Sequence, residues 1–190
     1  MSIFKNVRTQ EKKKLDFRSF KRKKKFDRLQ NEIINNFKDV SIPKKGEVVE
    51  IITNKHLNAY VMLEMLAQKN TCEELYLSMY CISKYTTLKI VEMIKSGLIK
   101  KAYFVISNLM KTNKKTEEFA NILYNLSLNN SSVDFKAVCT HTKIALMKFG
   151  EDYFVFTGSG NVSNNARYEQ YTLQNNNDLY NFYKNWMISV

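Results

Sequence analysis

Residues 47–107 read EVVEIITNKHLNAYVMLEMLAQKNTCEELYLSMYCISKYTTLKIVEMIKSGLIKKAYFVIS, a stretch in which strand-like and helix-like patterns alternate. Short β-branched or alternating segments predict three strands, at Glu47–Thr53, Glu74–Tyr80 and Leu98–Ser107. A period of 3.6 residues between them predicts two helices, over 55–69 with Asn54 as its cap and over 84–96 closed by Gly97. Such alternation is typical of a parallel sheet covered by helices on both faces.

The pattern continues as far as residue 138 and then changes. A third helix is predicted over 114–129 and a fourth strand at Val133–Val138. Further on, the sequence predicts a hairpin, a last strand and an aromatic-rich terminal helix, with the strands at Lys143–Phe149, Asp152–Thr157 and Glu169–Leu173. The predicted fold class is α/β, with a mixed, largely parallel sheet of six or more strands sandwiched between helices.

Charge divides the chain into two parts. Of the formal net charge of +12, residues 1–28 contribute +9, from 12 basic and three acidic residues, and the other 162 residues contribute +3. We therefore expect a basic N-terminal arm over 1–45, helical to about Lys38 and broken at 43–46, followed by a domain over 46–190. A solvated tail is the alternative interpretation of such a charge run.

A basic arm releases counterions when it lies along a polyanion, which favours nucleic acid as the partner. The aromatic residues among the charges do not form the clean apolar face of a membrane-surface helix. The cations expected to contact nucleic acid are Lys12, Lys13, Lys14, Arg18, Lys21, Arg22, Lys23, Lys24 and Lys25.

Several classes of protein are disfavoured by composition. No run of about 18 apolar residues predicts a membrane span, and the charged N-terminus lacks the apolar core of a signal peptide. Three scattered cysteines and two histidines disfavour a disulfide framework and a zinc site. We therefore expect a cytoplasmic protein without a metal or another cofactor.

One set of residues has functional groups that can bind or react with a ligand. His141 and Lys143 lie two apart at the start of a predicted strand, so they share a face. The hairpin then returns the chain to Gly158-Ser159-Gly160-Asn161, with Glu169 eight residues later. An imidazole, an ammonium, a hydroxyl, a carboxamide and glycine amides together can form a phosphate-holding site with a nucleophile in it. A structural histidine and an ordinary turn are the alternative.

This pattern resembles the signature of the phospholipase D superfamily, H-x-K-x4-D followed after a hairpin by G-S-x-N and an acidic residue. The resemblance spans about residues 47–190, and one position departs from it, because Lys148 stands where the Asp is expected. It implies metal-independent phosphodiester cleavage, with His141 as the nucleophile and Glu169 orienting an imidazole. It also implies that the phosphate is held by Lys143, Ser159, Gly160 and Asn161.

The implied mechanism needs two imidazoles, and this chain has the motif once. His56, the other histidine, has neither Lys two residues later nor a Gly-Ser turn behind it, so we expect a helix-end or surface residue. A second copy of the chain should then supply the second imidazole, in a homodimer. The small single-motif members that the chain resembles are nucleases, so the predicted function is endonuclease, with DNA favoured over RNA.

Two alternatives remain open. The chain is a nucleic-acid-binding or structural protein that kept the fold and lost turnover, which Lys148 favours, or it is a lipid phosphodiesterase. The short chain and its charge distribution weigh against a lipid substrate.

Overall fold

The computed structural model of the protein describes residues 18–19, 42–53, 57–68, 70–109, 114–161 and 168–190. Several predictions concern residues outside these ranges: the arm cations Lys12–Lys14 and Lys21–Lys25, the helix continuing to Lys38, and His56. They stay predictions.

Eight strands form a single sheet in the described residues. They are β1 (Arg18–Ser19), β2 (Val48–Thr53), β3 (Cys72–Met79), β4 (Ile99–Ser107), β5 (Val133–Val138), β6 (Lys143–Phe149), β7 (Asp152–Gly158) and β8 (Glu169–Asn175). The strand order is β1-β2-β8-β7-β6-β3-β4-β5.

Four helices complete the described fold: α1 (Ala59–Ala67), α2 (Lys84–Lys95), α3 (Lys114–Asn129) and α4 (Asn177–Ser189). None of these helices is long and apolar enough to cross a membrane. The α/β class and the mixed sheet are therefore confirmed.

The expectation of a largely parallel sheet holds only for β3, β4 and β5. These three strands pair in parallel, whereas every other pair in the sheet is antiparallel. Strand β2 runs in the same direction as β3, as the alternation predicts, but β8, β7 and β6 are inserted between them. Hydrophobic period specifies which segments are strands, but it does not specify which strands are neighbours.

The two faces of the sheet carry separate cores. Ala145 and Met147 on β6 face the larger core, where residues of α1, α2 and α3 are also buried. Leu146, between them, faces the smaller core beneath α4, together with Tyr180 and Met187 of that helix. The alternation along β6 therefore places helices on both faces of the sheet.

One edge of the sheet collects the predicted site residues. Strands β2, β3, β4, β5 and β7 end there, whereas β6 and β8 begin there. Helices α1, α2 and α3 follow β2, β3 and β4, so their N-termini also lie toward this edge. Carboxyl ends of strands are where open α/β sheets bind ligands, and helix N-termini favour anions. We call this end of the molecule the carboxyl edge.

Candidate active site

His141 and Lys143 contact each other at the carboxyl edge. His141 is exposed and lies just before β6, and Lys143 is the first residue of that strand. The Lys143 Nζ lies 3.2 Å from His141 Nδ1 and donates to the His141 carbonyl oxygen at 3.1 Å. Since an ammonium group can only donate, Nδ1 accepts, and a neutral imidazole then carries its hydrogen on Nε2.

Neighbouring residues hold the segment that carries His141. The ring of Tyr80, which follows β3, packs against the imidazole with centroids 4.7 Å apart. Thr142 Oγ1 lies 2.5 Å from Ser78 Oγ and 2.9 Å from Thr140 Oγ1. These contacts fix the backbone on either side of His141, so the imidazole stands on an anchored segment.

Ser159 joins the turn after β7 to the start of β8. Its hydroxyl donates to Glu169 Oε2 and accepts from the Gln170 N–H at 3.0 Å. Its own N–H donates to the Gln170 carbonyl at 2.9 Å. The structure therefore brings together Ser159 and Glu169, two of the predicted site residues, although the sequence pattern assigned Glu169 to an imidazole.

Gly158 and Gly160 pack against Tyr171. A Cβ at Gly160 would collide with the Tyr171 hydroxyl, and one at Gly158 would collide with the ring. That hydroxyl donates to the Leu57 carbonyl oxygen at 2.6 Å, and burial raises the pKa of Tyr171 above the ordinary tyrosine range. The phenol therefore stays a donor at neutral pH, and the glycines are needed because this ring approaches so closely.

Unpaired polar atoms also collect at the carboxyl edge. In the described part of the chain, three buried side-chain atoms lack a hydrogen-bond partner: Asn58 Nδ2, Ser107 Oγ and Asn161 Oδ1. Asn58 precedes α1, Ser107 ends β4, and Asn161 lies just after β7. Buried polar atoms without partners are costly, so their concentration at one edge marks it as a place for a ligand or a rearrangement.

Within the described ranges, no three His, Cys, Asp or Glu side chains cluster so that they could hold a metal ion. The charged groups of the site are instead the Lys143 ammonium and the Glu169 carboxylate. An ammonium beside an imidazole can bind a phosphate oxygen and stabilise the charge that develops during phosphoryl transfer.

Comparison with known proteins shows similarity in structure only. No family model matches the chain, and no curated protein matches it in sequence. Polyphosphate kinase from Porphyromonas gingivalis has a TM-score of 0.55 and 14% identity, covering 75% of this chain and 26% of the kinase. NucT from Helicobacter pylori has a TM-score of 0.50 and 14% identity, covering 75% of this chain and 95% of NucT. Phosphatidylserine synthase from Haemophilus influenzae has a TM-score of 0.50 and 10% identity, covering 72% of this chain and 36% of the synthase.

These three structures belong to the phospholipase D superfamily. The chain has a phospholipase D-like fold. It spans nearly the whole of NucT but only about a quarter of the kinase and a third of the synthase. At these identities the similarity shows the fold alone.

In this phospholipase D-like fold, Lys148 lies far from His141. It is five residues beyond Lys143 on β6, a distance of about 17 Å along an extended strand. Its Nζ donates to Glu73 Oε2 at 2.7 Å, and this bond raises the pKa of Lys148 and lowers that of Glu73. Lys148, the residue that departs from the signature, therefore forms a surface ion pair with Glu73 away from the carboxyl edge.

No sequence pattern assigned three residues of the carboxyl edge to the site: Tyr80, Asn58 and Tyr171. Tyr80 is the last residue of a predicted strand, and Tyr171 alternates inward on another, so each reads as an ordinary core aromatic. Their contacts with His141, Leu57 and Gly160 depend on strand order, which the sequence does not reveal. The N-cap of α1 is Asn58, not Asn54 as predicted.

Proposed function

We propose that the chain is a single-motif member of the phospholipase D superfamily that cleaves nucleic acid as a metal-independent endonuclease. The observation that carries this proposal is the contact between Lys143 and His141 at the carboxyl edge, beside the Gly-Ser-Gly-Asn turn. The strand registers support this proposal. Ile144, the residue after Lys143, pairs with Thr157, the residue before Gly158, so the His-Lys segment and the turn lie on neighbouring strands at the same edge. Thr157 also pairs with Thr172 on β8, the strand that Glu169 begins.

In the proposed first step, a ring nitrogen of His141 attacks phosphorus. The bond from phosphorus to the leaving oxygen breaks, a second imidazole donates a proton to that oxygen, and a phosphohistidine remains. In the second step that imidazole takes a proton from water, the resulting hydroxide attacks phosphorus, and the bond to His141 breaks. The Lys143 ammonium moves from His141 Nδ1 to a non-bridging oxygen when the phosphate enters, which releases the ring.

The turn after β7 supplies the rest of the phosphate site. Asn161 and Ser159 donate to non-bridging oxygens, and the close approach at Gly160 keeps the backbone of the turn near the phosphate. Glu169 accepts from Ser159 in the single chain and, in the proposed complex, orients an imidazole and fixes its tautomer.

A homodimer with one site across the interface completes the chemistry. Each chain provides the motif once, so the partner copy is proposed to supply the imidazole that acts as acid and base. The near-complete coverage of NucT supports a unit with a single copy of the fold.

The proposed substrate is nucleic acid, with DNA favoured over RNA. The +9 charge of residues 1–28 supports a polyanion, since the remaining 162 residues are close to neutral.

Cleavage of supercoiled plasmid and labelled oligonucleotides in excess EDTA tests the proposal. We expect the wild type to cleave, and His141→Ala to lose about 10³-fold or more in rate, as for the loss of a nucleophile. His56→Ala removes the only other imidazole and should keep the activity. Abolition by EDTA, or near-normal rates in His141→Ala, would contradict the mechanism. Tight binding by the wild type without cleavage of any substrate would favour the binding-only alternative.

A further inference from the structure

Asn58 lies at the carboxyl edge but outside the His-Lys and Gly-Ser-Gly-Asn segments. Its side chain is 1% exposed and caps α1, because Oδ1 accepts from the N–H groups of Tyr60 at 2.9 Å and Val61 at 3.2 Å. The cap fixes the orientation of the carboxamide, since Oδ1 must point at the start of the helix. The two N–H bonds of Nδ2 are left without a partner.

Asn161 presents the complementary group. Its Oδ1 is buried without a partner, although the residue as a whole is half-buried. The Asn58 carboxamide therefore lacks an acceptor for its N–H groups, and the Asn161 carboxamide lacks a donor for its oxygen. Each unmet group is unfavourable in a buried place, and a bond between the two would satisfy both.

The Tyr171 hydroxyl places the two asparagines near each other. It donates to the carbonyl of Leu57, the residue before Asn58. It is also the atom with which a Cβ on Gly160, the residue before Asn161, would collide. The two backbone segments therefore meet at one buried hydroxyl, and each asparagine is the next residue along its segment.

We infer that Asn58 is a positioning residue for the phosphate site. When a phosphate binds, Asn58 Nδ2 donates to Asn161 Oδ1 and holds that carboxamide in one orientation. The Asn161 Nδ2 is then directed to a non-bridging phosphate oxygen. A carboxamide that could rotate would offer its oxygen to the phosphate in half of its orientations, and an oxygen repels an anion. This inference rests on the proposed phosphate site and assigns it a residue outside the signature.

Asn58→Ser tests the inference, because serine caps a helix as well as asparagine does but has no Nδ2. Asn58→Asp also keeps the cap and is isosteric, so it serves if the serine variant folds poorly. Asn176→Ser is the matched control. Asn176 caps α4 through Leu179 N–H at 3.0 Å, and α4 follows β8, whose C-terminal end lies opposite the carboxyl edge.

The measurement is the affinity for inorganic phosphate by calorimetry, with the Tm of each variant as the check on folding. We expect Asn58→Ser to bind phosphate about three- to tenfold more weakly than wild type, the effect of one hydrogen bond. Asn176→Ser should bind like wild type. In chains that carry Asn161→Ala, adding Asn58→Ser should weaken binding further by less than about twofold, because Asn58 acts through Asn161.

Unchanged affinity in both Asn58 variants, or an equal loss with and without Asn161→Ala, would overturn the positioning role and leave the proposed function standing. A wild type that binds no phosphate would overturn both, since the site itself would then be absent.

Discussion

Tyr171 shows how one side chain fixes the turn of the candidate site. Its ring stacks on Phe156 with centroids 5.0 Å apart, and its hydroxyl holds the segment before α1 through Leu57. The ring is 2% exposed, so it cannot swing away from the glycines beside it. The Gly-Ser-Gly-Asn turn is therefore held by packing as well as by the hydrogen bonds of Ser159.

Gly160→Ala is predicted to destabilise the protein by about 1–3 kcal/mol, as expected when a methyl group is forced into a packed site. The closest collision is with the Tyr171 hydroxyl, so the cost of Gly160→Ala should be smaller in a Tyr171→Phe background. Urea unfolding of the two single variants and the double variant measures this coupling. If Gly160→Ala lowers the free energy of unfolding equally in both backgrounds, the Tyr171 hydroxyl is not the obstacle.

At the residue scale, the sequence predicts which groups meet locally but not their distant partners. His141 and Lys143 are two apart on one strand, and alternation alone predicts that they share a face, as their 3.2 Å contact shows. Tyr171 lies 114 positions after Leu57, to which its hydroxyl donates, and Asn58 is the residue after Leu57, so no local pattern could reveal the roles of Tyr171 and Asn58.

Strand β6 joins the candidate site to a distant ion pair. Lys143 stands at its start, at the carboxyl edge, and Lys148 near its end pairs with Glu74 in register and bonds to Glu73. Lys148, which departs from the phospholipase D signature, therefore takes part in an ion pair at the opposite end of the strand from Lys143.

Lys148→Asp, which restores the signature, is predicted to lower Tm and to leave the rate of phosphodiester cleavage unimproved. The new carboxylate would stand beside Glu73 and opposite Glu74, where like charges repel. The charge swap Lys148→Asp with Glu73→Lys should recover much of the lost Tm. Thermal unfolding and cleavage assays on the wild type and the two variants provide the measurement, and a gain in rate from Lys148→Asp alone would contradict this prediction.

The Lys148–Glu73 ion pair is predicted to make the stability of the protein depend on pH. The pKa of Glu73 is lowered, so its contribution to stability is present above the ordinary glutamate pKa of about 4.3 and is lost as the pH falls through the lowered value. The pKa of Lys148 is raised, so its contribution is lost as the pH rises through the raised value, above about 10.4. The Tm difference between wild type and Lys148→Met should therefore be largest near neutral pH. A difference that persists unchanged in strong acid would rule out the ion pair as its source.

At the element scale, local patterns predict β5 and β6 with the bounds that the structure has. The terminal hairpin is also confirmed, because β6 and β7 pair antiparallel. The insertion of β6, β7 and β8 between β2 and β3 could not be predicted, since each of these strands would be equally amphipathic beside other neighbours.

In the whole molecule, a basic arm accompanies a domain with little net charge. The sheet begins in the arm, because Arg18 and Ser19, predicted as part of a helical arm, form strand β1 and pair with Ile52 and Ile51 of β2. The structure describes no residue of the arm before residue 42 other than these two. The role of the arm cations in binding nucleic acid therefore rests on charge alone.

Replacing the five cations Lys21–Lys25 by glutamine is predicted to weaken nucleic-acid binding and to flatten its salt dependence. The magnitude of the slope of log affinity against log salt should fall by up to about 4.5, because each lost phosphate contact removes about 0.9. Binding to two unrelated sequences should weaken equally, since phosphate contacts carry no sequence information. Fluorescence anisotropy over a salt series measures the slope, and an unchanged slope would indicate another role for the arm.

The proposed mechanism requires one site to use His141 from two chains. Mixing wild type with His141→Ala chains, after subunit exchange and in EDTA, tests it directly through the rate of cleavage. If both imidazoles are needed, mixed dimers are inactive, and an equal mixture should keep about one quarter of the wild-type rate per total dimer, falling with the square of the wild-type fraction. A rate of about one half, falling in proportion to the wild-type fraction, would show that each chain works alone and that the site is not shared between two chains.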